Sequence, residues 1–281
     1  MVVTLTVVLV LLGLNAGGIV HWARGGGPAR PSASGSPPAT ATAVALGLPT
    51  LQHPFIGSRS ASWADNADGI VLPVARPVGG LSEAAVTEDL DRVKLYLIVA
   101  YLDPPLLAGG SAQPVLQMLD SRNSSWLSSA LADPTRTDTA TSWVSRFNPS
   151  YARPIGSVVK VRGTMTTAPD GHGGMTVRAD YSFVYPTRQA PNGDVVSRVL
   201  ARRVVTLDFY DPSRFQVEPG KLYVTGVDGD TANDRCDRID GYLNPAFPAA
   251  PGPRVTGSAV DPYDTTQPVP SGTQCTPAQA P

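Results

Sequence analysis

The chain has 281 residues, a formal net charge of −1, 42% hydrophobic residues and 16% charged ones. Charged residues usually make up about 25% of a soluble domain, and a balance this close to neutral gives no global field for nucleic acid. Pro and Gly number 28 and 27 and crowd into residues 25–50 and 245–281, which leaves a middle stretch long enough for one domain with its own core.

Residues 1–23 form an apolar segment, and Val2–Ala23 carries no charge before Arg24. At about 1.5 Å per residue this run spans a bilayer core. It is read as a single-pass transmembrane helix and membrane contact, with a cleaved signal segment as the alternative. Leu14 and His21 occupy the −3 places before Ala16 and Ala23, where a signal peptidase prefers small residues. Arg24 and Arg30 alone would place the body in the cytoplasm. The stalk and the two cysteines argue for a body outside it, with a basic segment expected upstream of Met1.

Residues 24–50 are rich in Pro, Gly, Ser and Ala and read as a linker. The domain is expected over 51–247 and a Pro-rich C-terminal tail over 248–281. Gly69–Val74 is a short strand candidate. Ser82 then suits an N-cap, and Val86, Leu90, Val93, Leu97 and Tyr101 make one apolar stripe of an amphipathic helix that ends at "DPP". Shorter helices are predicted at Pro114–Asp120, Ser124–Ala132 and Thr139–Phe147, with Asn123 and Asp138 among their caps.

Beyond residue 154 the apolar period changes from 3.6 to 2. Val159, Val161 and Met165 share one parity, as do Val177 to Tyr185 and Val195 to Phe209; Lys221–Val227 adds a fourth strand. The turn-rich stretches 169–174 and 190–194 imply antiparallel neighbours. Arg203 interrupts the apolar parity of the third strand, which predicts a bulge near Ala201–Arg203. The fold class is therefore α+β, with helices packed on a curved antiparallel sheet of about four strands.

One long amphipathic helix across four long strands is similar to the cone of the nuclear-transport-factor-two-like (cystatin-like) superfold. With the anchor and stalk, the stretches "VKLYLIVAYLDPPLLAGG", "SRFNPSYARPIGSVVKVRG" and "TLDFYDPSRF" resemble uncharacterised extracytoplasmic actinobacterial proteins of that kind, over roughly residues 80–247. The resemblance implies architecture and a cell-envelope setting. It carries no catalytic motif.

Chemistry is sparse in the sequence. No G-x-S-x-G, P-loop or G-x-G-x-x-G occurs, and His21, His53 and His172 lack partners at metal-ligand spacing. Asp180, Asp208 or Tyr181 would be the acid–base pair of a pocket enzyme. Asp228 and Asp230 fit the first positions of a calcium loop, but Ala232, Asn233 and Ile239 break the pattern. A low-affinity calcium site at Asp228, Asp230 and Asp234 is the alternative to no metal and no cofactor. Cys236 and Cys275, the two cysteines, are expected to pair outside the cytoplasm.

Lys160, Arg162, Arg178, Arg198 and Arg202 share the parity opposite to the apolar residues. They predict a basic stripe on one sheet face, suited to an anionic wall polymer or an acidic envelope protein. The expected function is a membrane-anchored, extracytoplasmic, non-enzymatic binding or assembly module. The alternative is a small-ligand carrier or pocket enzyme on the same cone.

Overall fold

The computed structural model describes residues 46–134, 140–235, 237–248, 260–269 and 281. The apolar run Val2–Ala23, residues 24–45 of the linker, the Asp138 cap and both cysteines, Cys236 and Cys275, lie outside the described residues. Among the described residues no helix is long and apolar enough to cross a membrane.

The architecture is α+β. A mixed-length antiparallel sheet of six strands comprises β1 (Ala64–Asp65), β2 (Ala152–Pro154), β3 (Lys160–Pro169), β4 (Met175–Gln189), β5 (Val196–Phe209) and β6 (Tyr223–Ala232). Its order is β1-β3-β4-β5-β6. The strand β2 shares an edge of β4 with β3: Ala152–Pro154 pair with 187–189, and β3 pairs with 175–184. Four long strands match the expected number, and the two short edge strands add to it.

The principal helix, α1 (Glu83–Tyr101), begins where Ser82 accepts a hydrogen bond from Ala85 N–H, 3.3 Å away. Its five predicted stripe residues are all buried. They pack with Val177, Ala179, Tyr181, Phe183 and Tyr185 of β4 and Val199, Ala201, Val205 and Leu207 of β5 in one cluster. Burying the apolar stripe of the helix on the odd-numbered face of the sheet satisfies both periodicities at once.

The helical region adds to one local expectation and corrects two others. The "DPP" sequence ends α1 and also starts a second helix, α2 (Pro104–Leu107), because Asp103 accepts from Leu106 N–H and proline fits the first turn. After α3 (Gln113–Met118), the helix α4 (Ser121–Ala132) is capped by Asp120 rather than Asn123. Asp120 accepts from Arg122 and Asn123 N–H, while the Asn123 amide donates to Asp120 and to Val224 O. The last helix, α5 (Ala140–Trp143), is a single turn, and the chain then extends to a bridge between Phe147 and Leu243.

Gly69–Val74 is not a strand. Gly69 ends a 3-10 turn, and Val71 O accepts from the Tyr181 hydroxyl at 3.1 Å. The bulge is also displaced. Pairing of β4 with β5 runs unbroken through Ala201–Arg203, and the register shift lies between Thr206 and Leu207, against β6.

Both faces of the central strands are buried over most of their length. The even-numbered face carries its own smaller cluster of Trp63, Val184, Leu200, Ala232 and Tyr263, with Phe55 packed against it. Segments from both ends of the domain, residues 46–66 and 260–269, therefore lie against the face that sequence parity marks as polar.

Candidate functional site

The five basic residues do share the even-numbered face, and most find acceptors within the chain. Arg162, Ser182 and Arg202 stand in one row across β3, β4 and β5. The Lys160 amine donates to Trp63 O at 3.1 Å and pairs with Asp65 at 2.6 Å. Arg162 donates to Tyr263 O at 3.1 Å and lies 4.4 Å from the Trp63 ring centroid. Arg198 reaches Pro54 O, Ile56 O and Pro281 O at 2.8–3.0 Å. Arg202 donates to Thr265 O and Gln267 O and grips Asp180 with two bonds of 2.9 and 2.8 Å. Arg178 also pairs with Asp180, at 3.1 Å, and keeps 52% of its side chain exposed.

Asp180 is thus an ion-pair partner. Burial pushes its carboxyl up, but the hydrogen bonds and charge of Arg202, with Arg178, outweigh this and hold it below the usual carboxylate range. Asp208 accepts from the Thr176 hydroxyl at 2.7 Å on the same face. Tyr181 points to the opposite, helix-covered face, where burial pushes its hydroxyl up to about 12. Strand alternation therefore separates the expected acid–base partners.

The acidic stretch is dispersed. Asp228 and Asp230 lie in β6 opposite Val204 and Arg202. Asp237 pairs with Arg235 at 2.6 Å, and Asp240 accepts from Tyr242 N–H and the Asn244 amide. Asp234 turns inward and accepts from Asn244 N–H. Burial pushes its carboxyl up to about 6, against the opposing pull of that hydrogen bond and of the Arg203 charge. Among the described residues, no three His, Cys, Asp or Glu side chains are placed to hold a metal ion.

The residue that interrupted the strand pattern is buried instead. Arg203 is 1% exposed and lies in a row between Tyr181 of β4 and Gly229 of β6. Its Nη1 donates to Arg202 O and Asp230 O at 3.0 and 3.2 Å, while Nε and Nη2 have no protein partner among the described residues. A Cβ at Gly229 would fall 3.0 Å from Nη1 and 2.5 Å from Ser142 Oγ, so the absence of a side chain there makes room for the guanidinium. Around it, the Tyr101 hydroxyl donates to Ser142 O at 2.8 Å, and the Tyr185 hydroxyl lies 3.1 Å from Tyr101 O and 3.0 Å from Ser145 Oγ. Burial pushes both hydroxyls well up. These groups tie the helical layer to the sheet and leave the space between them filled.

Open space lies instead nearer the surface: a cavity of about 500 Å³ beside Trp63, Arg162 and Tyr263, one of about 360 Å³ beside Asp89, Arg92 and Tyr223, and a more apolar cleft at the end of the sheet. Between β2 and β3 the chain leaves the edge of β4, although Ile155 N–H still donates to Pro186 O at 2.9 Å. Beneath this crossing lies a cleft of about 450 Å³ lined by Leu102, Leu107, Ala108, Pro149, Ile155 and Val159, with Tyr185 at one wall and Arg153 among its boundary residues. The chain matches no known protein family, no curated protein and no solved structure.

Sequence reasoning missed this cleft and Arg203. The latter was signalled by its own odd number, which placed it with the core residues. The cleft had no such signal, because a three-residue edge strand leaves no periodicity to read.

Proposed function

We propose that the chain is a non-enzymatic binding module of the bacterial cell envelope, carried outside the membrane by the Val2–Ala23 run, with its ligand site in the apolar cleft beside β2. The observation that carries this reading is where the space lies. The interior under α1 is occupied by Tyr96, Tyr101, Phe183, Tyr185 and Arg203, all at most 1% exposed, and the hydroxyls there are committed to backbone carbonyls. The cleft, by contrast, opens to the surface, and its volume falls within the roughly 300–1,000 Å³ usual for small-molecule sites.

A neutral hydrophobic dye such as Nile red tests it. Ala108 is exposed at the cleft, so Ala108→Trp fills the mouth without disturbing the core. Dye fluorescence is expected to rise on the full-length wild type and to fall several-fold in the variant. Equal fluorescence from the two proteins would remove the cleft as the site.

A further inference from the structure

The cavity of about 360 Å³ lies between the first half of α1, the end of β5 and the chain that joins β5 to β6. Its lining carries four carboxylates, Glu88, Asp89, Asp208 and Glu218, against two cations, Arg92 and Lys221, a balance of −2. Both cations are engaged. Arg92 donates from Nη1 to Asp89 Oδ1 at 3.1 Å and from Nη2 to Lys221 O at 2.9 Å, and it lies 6.0 Å from the Phe209 ring centroid. The Lys221 amine donates to Gln117 O at 2.6 Å. Two of the acids are engaged as well: Glu218 accepts from the Ser121 N–H and hydroxyl, and Asp208 from the Thr176 hydroxyl. Glu88 is exposed to solvent. Asp89 is the exception. It is only 9% exposed, its Oδ1 takes the one bond from Arg92, and its Oδ2 accepts from no described residue. A carboxylate oxygen left unbonded at the wall of a cavity, on a side chain this buried, is a costly group in need of a donor.

We propose that this cavity takes a primary alkylammonium ion, whose N–H groups donate to Asp89 Oδ2 and whose short chain lies against Leu81, Ala85, Phe209 and Val217. The inventory decides the sign of the ligand. An anion would enter against a net charge of −2 and leave the Asp89 oxygen unpaired. An ammonium meets attraction from the lining and supplies the missing charge-assisted hydrogen bond. A quaternary ammonium has no N–H to give and would leave Oδ2 unbonded. The cavity is at the small end of the roughly 300–1,000 Å³ usual for small-molecule sites, which suits a short chain. Burial pushes the Asp89 carboxyl up to about 6, against the charge and hydrogen bond of Arg92, while the Glu88 charge adds to the rise. An ammonium beside Oδ2 favours the ionised form, so binding is coupled to loss of that proton. The cavity shares no lining residue with the cleft beside β2, so this site stands apart from that reading.

The test is calorimetric titration of the full chain with pentylammonium, 1-pentanol and pentanoate near neutral pH. Pentylammonium is expected to bind at least about tenfold more tightly than 1-pentanol, the scale of a charge-assisted hydrogen bond, and pentanoate more weakly than either. Asp89→Asn keeps the shape of the side chain and removes its charge. Checked for folding by circular dichroism, it should lose at least about tenfold for pentylammonium and bind 1-pentanol as before. Ala108→Trp, which fills the cleft beside β2, should leave pentylammonium binding unchanged. In the wild type, lowering the pH from about 7 to about 5 should weaken pentylammonium about tenfold, because Asp89 takes up its proton near 6 while the alkylammonium, like lysine, stays charged. Glu88, Arg92, Asp208, Tyr210, Glu218, Lys221 and Tyr223 share the cavity with Asp89 and remain in Asp89→Asn, which should therefore show a much smaller pH dependence. Equal binding of pentylammonium and 1-pentanol, an affinity unchanged in Asp89→Asn, or a wild-type affinity that stays constant over that pH range would overturn the site. Loss of pentylammonium binding in Ala108→Trp would place the chain in the other cleft and overturn it too. Absence of pentylammonium binding would do the same, and would leave the cleft beside β2 to its own dye test.

Discussion

Arg202 and Arg203 are adjacent in the chain, and both are buried, but β5 sends them to opposite faces of the sheet. Arg202 meets a carboxylate with two bonds and two carbonyls from residues 265 and 267. Arg203 meets two carbonyls through one nitrogen and no carboxylate at hydrogen-bonding distance. The same residue type is thus a clamp on one face and a partly satisfied cation on the other. The even face is held to its covering segments by charge and carbonyl contacts. The odd face is held by aromatic packing, and its arginine is tolerated there.

The largest effect should come from the odd face. Phe183 is fully buried and packs 5.1 Å from the Tyr101 ring centroid and 6.3 Å from that of Tyr185. Phe183→Ala leaves a cavity in close-packed surroundings and should destabilise the protein by about 3–5 kcal/mol. Urea unfolding followed by circular dichroism measures it. A loss under about 1 kcal/mol would mean that this face is loosely packed, and the contrast between the faces would fail.

On the even face, Asp180→Ala strips Arg202 of its carboxylate while leaving the arginine 9% exposed. Breaking such a pair usually costs about 3–5 kcal/mol. The retained carbonyls at residues 265 and 267 place the expected loss at the lower end, about 3 kcal/mol. Asp180 has a depressed pKa, so its stabilisation is full above the ordinary carboxylate range and is lost as pH falls through its folded-state value. The wild type and Asp180→Ala should therefore converge in stability on acidification. A gap that stays constant down to about pH 2 would show that the ion pair is not its source.

How much of this was legible depended on the range of the interaction. The stripe of α1 and the parities of β3, β4 and β5 are local, and the structure reproduces them except at Val195, which precedes β5 and is 40% exposed. The five basic residues were correctly assigned to one face. Their acceptors were not, because Tyr263, Thr265 and Gln267 sit in the stretch read as tail and Pro54 at the start of the domain outside any predicted element, and both stretches reach the sheet only through long-range contacts. Arg203 is different. Its position is readable, but a bulge is a milder explanation of the pattern than a buried charge, since an unpaired ion in the core is costly. The fold solved the conflict with a glycine in the facing row and an inward-turned carboxylate nearby.

That carboxylate sets up the smallest and most specific expected effect. Arg203→Met replaces a buried cation with an apolar side chain of similar length. Such exchanges are often neutral or stabilising, because the cation no longer has to be desolvated. The outcome should depend on Asp234. Burial raises its folded-state pKa from the ordinary 3.8 to about 6, and the Arg203 charge is one of the groups pulling it back down. A raised carboxyl pKa means that the folded state holds the extra proton between about pH 4 and 6, so stability falls as pH rises through that window. Without Arg203 the folded-state pKa moves higher still, and the fall is larger. At about pH 4, where Asp234 is largely protonated in the folded state, Arg203→Met should lie within about 1 kcal/mol of the wild type. The two proteins should fall in parallel up to about pH 5.5, and the variant should lose ground only as pH passes about 6, where wild-type Asp234 gives up its proton and the variant's does not. Asp89, whose carboxyl burial also raises to about 6, titrates in both proteins, so its contribution largely cancels in the difference. Urea midpoints of the two proteins at about pH 4, 5.5 and 7 give the answer. A difference that does not change with pH would uncouple Arg203 from Asp234. A loss of about 3 kcal/mol or more already at pH 4 would make Arg203 a stabilising element of the odd face in its own right, and the two arginines would then be alike.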